Sequence, residues 1–179
     1  MSPRTQGRSR GVLEEHTLEG AARPSNTPLL VRLTSPVHFL LAFGVAALAQ
    51  RVLALPLPQD GALLAMQWAG SLLALAALGL SLWCFALFAT RRTTLLPGSQ
   101  PSSLVERGPY RLTRNPMYVS LLGSYVGLAG YLVVPWALVL LPLPWLALQR
   151  VVIPFEEARL RAEFGGAYER YCARVRRWL

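Results

Sequence analysis

The sequence predicts an all-α, integral-membrane bundle of about four transmembrane helices with an amphipathic helix at the C-terminus. Three observations predict it. Of 179 residues, 53% are hydrophobic and only 15% charged, against about 25% charged in an ordinary soluble domain. Four apolar stretches meet the length criterion for a spanning helix, about 20 residues. The basic residues fall on the connections that four spans would place on one side of a bilayer.

The stretches run over residues 36–55, 62–89, 117–134 and 135–153. The second is long enough to tilt or to project beyond the hydrocarbon core. Between the third and fourth there is almost no polar spacer. Pro135 lacks a backbone donor and biases Val134 away from helix, which predicts a tight helical hairpin. Pro142 and Pro144 predict a kink within the fourth helix. A soluble helical bundle with a buried core is the alternative.

All 18 basic residues are arginines, giving a net charge of +9. Arg4, Arg8, Arg10, Arg23 and Arg32 precede the first stretch. Arg91, Arg92, Arg107, Arg111 and Arg114 lie between the second and third, and Arg159, Arg161, Arg170, Arg174, Arg176 and Arg177 follow the fourth. The other two connections carry none. The positive-inside rule then puts both termini and the long loop in the cytoplasm. Arg51 would be costly at the bilayer centre, about 2.5–3.5 kcal/mol, but it stands near the outer end of its helix and can snorkel.

Composition also excludes chemistries. Without lysine there is no Schiff base and no P-loop. The two cysteines, Cys84 and Cys172, form no zinc or disulfide pattern, so no metal is expected. Cys84 reads as a small buried hydrophobe. His16 and His38 read as incidental. No strand–helix module or aromatic-studded basic sheet accompanies the arginines, so the expected partners are anionic lipid headgroups and not nucleic acid. Residues 1–29 lack apolar periodicity and any h-region behind their basic residues, which predicts a disordered cytoplasmic arm and not a cleaved signal peptide. The remaining residues, 30–179, form one membrane domain whose segment 154–179 is cytosolic. Gly123, Gly127 and Gly130 predict a close helix contact in the third span, within the chain or in a dimer.

Two cytosolic segments differ from ordinary connectors. The first, Glu106 to Tyr118, packs three Arg, two Tyr and an Asn around two turn dipeptides, Gly108-Pro109 and Asn115-Pro116. A twice-bent backbone leaves arginine forks free for a carboxylate or phosphate. The second begins at Glu156-Glu157, directly after the fourth span, where acidic residues contribute little to topology. Downstream, Leu160, Phe164, Tyr168, Tyr171 and Val175 recur at helical spacing, with Gly165-Gly166 as an expected bend. The hairpin of spans three and four brings the two segments to the same end of the bundle. Carboxylates, arginines and aromatics then converge at its cytosolic mouth. Such a pocket suits a zwitterionic, partly aromatic cofactor arriving from water and a lipidic substrate arriving from the bilayer.

The run Arg107-Gly108-Pro109-Tyr110-Arg111, Arg114-Asn115-Pro116 and Tyr118 resembles the signature of the isoprenylcysteine carboxyl methyltransferase and phospholipid methyltransferase group. Glu156-Glu157, Leu160, Phe164-Gly165, Tyr168 and Tyr171 resemble its second signature. The resemblance spans residues 104–178 and implies an S-adenosylmethionine-dependent membrane methyltransferase acting on a lipophilic acceptor, such as the carboxylate of an isoprenylated cysteine. It implies that Tyr110, Arg114, Asn115, Pro116, Tyr118, Glu156 and Glu157 line the cofactor pocket. Arg114, Glu156 and Glu157 are the catalytic candidates, and Tyr168 and Tyr171 are candidates for stacking on adenine or facing the sulfonium. Asn115 stands where the group commonly has histidine and cannot titrate near neutral pH, so no motif histidine acts as a base here. Ser120 replaces the motif's trailing glycine. In Val175-Arg176-Arg177-Trp178, Arg177 matches a C-terminal run whose proline is lost. A carboxylate acceptor needs an arginine to hold it, whereas an amine, thiol or hydroxyl needs a base, for which Glu156 and Glu157 are nearest. A nonenzymatic basic scaffold and a nicotinamide-dependent membrane reductase are the rival readings; the latter lacks a glycine-rich nucleotide fingerprint.

Overall fold

A computed structural model describes residues 35–91 and 104–179. The expected N-terminal arm, its arginines, His16, Arg92 and the side chain of Arg91 lie outside the described residues. Within them all regular structure is helical. Helix α1 spans Ser35–Val52 and α2 spans Asp60–Arg91. A 3₁₀ turn, Gly108–Arg111, leads to α3, Pro116–Tyr131. Then follow α4 (Pro135–Leu140), α5 (Pro142–Ala147), a π turn (Leu148–Val152), α6 (Ile153–Phe164) and α7 (Gly166–Arg174).

Among the described residues two helical stretches are long and apolar enough to cross a bilayer: Asp60–Thr90, with a mean hydropathy of 2.3, and Pro135–Phe164, with 1.7. Only 11% of the apolar window in the first is buried. Leu64, Trp68, Leu72, Leu75 and Leu82 all face outward. A soluble bundle would bury those side chains, whereas lipid solvates them. The chain is a membrane protein. Helices α1 and α3, with 18 and 16 residues, measure about 27 and 24 Å at the helical rise of 1.5 Å per residue, short of a hydrocarbon core about 30 Å thick.

Helix α3 packs along α2 through small residues. A Cβ on Gly127 would stand 2.5 Å from the backbone nitrogen of Ala74, and one on Gly70 would stand 2.5 Å from that of Tyr131. Only hydrogen fits at those two positions, so the helices approach backbone to backbone. Ser81 and Ser120 extend the seam with a 2.8 Å hydroxyl–hydroxyl hydrogen bond. The expected glycine contact is therefore made within one chain. On another flank Phe39 and Phe43 meet the Tyr125 ring edge-on at 5.5 and 5.3 Å, a favoured aromatic geometry. The Trp136 indole donates to the Leu53 carbonyl at 2.6 Å, tying the end of α1 to the start of α4.

The α3–α4 hairpin is closed by a Schellman motif: Val134 N–H donates to Ala129 O at 2.9 Å, and Val133 N–H donates to Gly130 O at 3.4 Å. The left-handed position that such a motif reserves for glycine holds Val133, at φ 57°, a strained conformation for a β-branched side chain.

Pro142 and Pro144 interrupt the following helix as expected, with a turn at Leu141. The helix then continues past the expected end of span four at Ile153 and stops at Phe164. Pro154 has no N–H to give to the carbonyl four residues earlier, and the wide turn before it accommodates the loss, with Ile153 N–H donating to Leu148 O. The rod is about 45 Å long, longer than a hydrocarbon core about 30 Å thick, and all its charged residues but Arg150 fall in its last nine positions, 156–164. Gly165, at φ 47°, ends it. That is the bend expected at Gly165-Gly166.

Candidate active site

The first segment is bent where its turn dipeptides require. Gly108 takes φ 59° against Trp83 and Leu87 of α2, and Pro109 and Tyr110 are buried in the 3₁₀ turn. Tyr110 meets Phe88 edge-on at 5.6 Å. Asn115 stands at the N-cap of α3 and the buried Pro116 opens the helix, the first-turn position where a missing N–H costs nothing. The Asn115 amide does not cap its own helix. Its Nδ2 donates to the carbonyl of Arg177 at 3.1 Å.

The two segments meet as the hairpin requires. Tyr118, one turn into α3, donates its hydroxyl to Glu156 Oε1 at 2.7 Å. Burial pushes the Glu156 carboxyl above the usual carboxylate range, and the Tyr118 hydrogen bond and the nearby Arg159 only partly offset it.

Glu157 points into a different environment and is only 3% exposed. Arg177 forks onto it, Nε to Oε1 at 3.1 Å and Nη2 to Oε2 at 2.6 Å. Arg114 reaches Oε1 at 3.5 Å and Arg161 reaches Oε2 at 3.9 Å. The fork holds the Arg177 guanidinium above even the usual arginine range. Arg114 also contacts the Cys172 sulfur through Nη1, while its Nε is buried with no hydrogen-bond partner among the described residues.

Tyr168 and Tyr171 lie inside the packing between α7 and the loop, with 1% and 3% exposure. Their rings sit 6.1 Å apart. The Tyr171 hydroxyl donates to the Tyr110 carbonyl at 2.7 Å, and the Arg161 guanidinium lies over the Tyr168 ring at 5.8 Å. Burial raises the phenols of Tyr110, Tyr168 and Tyr171 above the usual range, so all three stay protonated at neutral pH. As placed, Tyr168 and Tyr171 organise the site and present no open face to a ligand.

The structure adds residues that the sequence did not single out as site groups. Thr113, 2% exposed, donates to the Arg177 carbonyl at 2.9 Å and accepts from Asn115 N–H at 3.2 Å. Arg114 N–H donates to the Arg176 carbonyl at 2.9 Å, and the Trp178 indole donates to Gln149 Oε1 at 2.8 Å. The tail therefore lies across both segments. Its only sequence signal is the match of Arg177 to a C-terminal run; a hydroxyl next to Arg114 carries none. An apolar cavity of about 250 Å³, lined by Leu57, Met66, Gly70, Val126 and Leu138, lies near the hairpin turn and apart from these groups.

Phospholipid methyltransferases match residues 65–167 of the chain. That is more than half of its length and takes in both the loop and the acidic pair. The chain belongs to the phospholipid methyltransferase family. The resemblance read from the two motifs is borne out, and the family makes this a membrane methyltransferase. The match ends before Tyr168, Tyr171 and the tail. No curated protein and no solved structure matches the chain.

Proposed function

We propose that the chain transfers a methyl group from S-adenosylmethionine to a lipophilic acceptor bearing a protic nucleophile, an amine, hydroxyl or thiol, at the cytoplasmic end of a four-span bundle. One observation carries the reading: a methyltransferase-family chain pairs a partly buried carboxylate with a tyrosine at 2.7 Å, beside an arginine whose buried Nε has no partner among the described residues.

The residues fit the cofactor. An orphaned guanidinium donor is satisfied by a carboxylate such as that of the cofactor's amino-acid end. Glu156 offers oxygens to its amino or ribose hydroxyl groups. When bound, the cofactor supplies an electrophilic methyl group on a sulfonium, and the protein's task is alignment.

Glu156 takes the acceptor's proton. Its raised pKa brings it nearer to neutral pH, where a general base is most effective. Tyr118 fixes the carboxylate's orientation. Glu157 is unsuited to that role because guanidiniums occupy both of its oxygens. The same commitment bears on the acceptor. Arg161 and Arg177 are engaged at Glu157 and Arg114 is left to the cofactor's carboxylate, whereas a carboxylate acceptor, as on a prenylated cysteine, needs an arginine of its own. This supports a protic acceptor.

For topology, α1 and α3 complete four spans by local thinning of the bilayer, both termini are cytoplasmic, and the host membrane is a bacterial inner membrane. Calorimetry of S-adenosylmethionine with the detergent-purified protein tests the reading. Binding to the wild type, its loss in folded Glu156→Ala/Glu157→Ala, and transfer of labelled methyl to an amine- or hydroxyl-bearing lipid are expected. No binding by folded wild type overturns it in favour of a basic scaffold or a nicotinamide enzyme. Transfer only to prenylcysteine overturns the protic acceptor.

A further inference from the structure

One buried carboxylate faces three guanidiniums. The geometry allots Glu157 to Arg177, which holds both oxygens at 3.1 and 2.6 Å; a bidentate fork is the strongest arrangement open to that pair. Arg114 is left with a loose 3.5 Å approach, a weak sulfur acceptor in Cys172 and a buried Nε that has no partner among the described residues. Were Arg177 absent, the nearest strong anion for Arg114 would be Glu157. The Arg177 carbonyl meanwhile holds Thr113 and Asn115, the two residues flanking Arg114.

We propose that Arg177 is a positioning residue: by occupying Glu157 it keeps the Arg114 guanidinium available to the carboxylate of an incoming ligand. This rests on the methyltransferase reading, which supplies that ligand, and it assigns a role to a tail outside the family match. Side-chain variants test it cleanly because they leave the backbone carbonyl bonds of residues 176 and 177 in place.

The experiment is calorimetry of S-adenosylhomocysteine, which keeps the amino-acid carboxylate, with the full-length protein in detergent. Arg177→Gln weakens binding by about tenfold or more, since Glu157 then captures Arg114. Arg177→Lys keeps the charge but not the fork and falls between. Glu157→Gln/Arg177→Gln binds within about threefold of Glu157→Gln, because the competitor for Arg114 is gone. A merely structural tail gives no such rescue. Wild-type affinity in Arg177→Gln overturns the proposal, as does a double variant that binds as weakly as Arg177→Gln. Should Arg177→Gln not fold, Arg177→Lys with wild-type affinity overturns it. Wild-type protein that binds neither S-adenosylhomocysteine nor S-adenosylmethionine overturns the methyltransferase reading and this proposal with it.

Discussion

The hydroxyl of Tyr118 donates to Glu156 Oε1 across 38 positions of sequence, at 2.7 Å. The bond favours the ionised carboxyl, whereas burial opposes it and dominates. Activity that needs Glu156 as a base therefore rises with pH through a value above the ordinary 4.5. In Tyr118→Phe that limb moves to still higher pH, because a stabiliser of the charged form is gone. Glu156→Gln removes the limb and lowers kcat by about 10²- to 10⁴-fold. Methyl-transfer rates from pH 4 to 9 check both; an unmoved limb in Tyr118→Phe sinks the assignment.

The same shift bears on stability. The folded protein holds its Glu156 proton to a higher pH than the unfolded chain, so between the ordinary and the raised pKa the folded state binds more protons. Glu156 thus contributes stability that is present below the ordinary value and lost as pH rises through the raised one. Glu156→Gln escapes the loss, and its Tm exceeds the wild type's at neutral pH but not at pH 4. Thermal melts in detergent at both pH values are the check.

At the α2–α3 seam the two backbones leave no room for a side chain. Gly127→Val costs about 1–3 kcal/mol from overpacking, with more expected where backbone must move. A Cβ on Gly79 would meet nothing within 4 Å, and Gly79→Ala is neutral or stabilises by up to about 1 kcal/mol. Equal losses in both variants would contradict the close approach.

Val133 occupies a left-handed position at φ 57°, at a cost of about 1–2 kcal/mol for a side chain with a Cβ. Val133→Gly relieves it, offset in part by greater freedom of the unfolded chain, and a net gain of about 0.5–1 kcal/mol is expected. A lower Tm in this variant would show that the valine's packing outweighs the strain.

Thr113→Ala strips the buried link among Asn115 N–H, the Arg177 carbonyl and the loop. The expected cost is about 1–3 kcal/mol, with faster proteolysis of the tail. Thr113→Ser keeps the oxygen and stays near wild type.

How much of this was legible in the sequence follows from what each signal encodes. Apolar runs encode solvation by lipid, so the helices Ser35–Val52, Asp60–Arg91 and Pro116–Tyr131 are readable to within a few residues, whereas the fourth runs on to Phe164, eleven residues past its expected end at 153. Glycine spacing encoded the α2–α3 approach, and paired turn dipeptides encoded the double bend before α3. The hairpin predicts that the segment from Arg114 to Tyr118 meets Glu156 and Glu157, and the structure resolves that meeting into Tyr118 with Glu156 and Arg114 with Glu157. Neighbouring glutamates, however, look alike in sequence. Only helix phase separates one that meets a tyrosine from one enclosed by arginines. Tyr168 and Tyr171 carried an aromatic signal that serves stacking and packing equally, and the structure puts them in packing. Thr113 and the tail carbonyls were invisible because backbone acceptors leave no mark in residue type.

The π turn at Leu148–Val152 has a consequence for chain length. A π turn holds one residue more than the α-turn it replaces, and each residue advances an α-helix by about 100°. The wide turn absorbs that extra residue, so the phase in which Glu156 looks toward α3 and Glu157 toward the tail does not depend on it. Deleting Val151 returns the turn to α geometry and leaves both flanking helices in register. The same deletion at Ala158 swings Arg161 and everything after it by about 100°. The wide turn is the one place along the rod where the chain carries a spare residue, so a residue can be lost there, and not further along, without exchanging the surroundings of two adjacent acids.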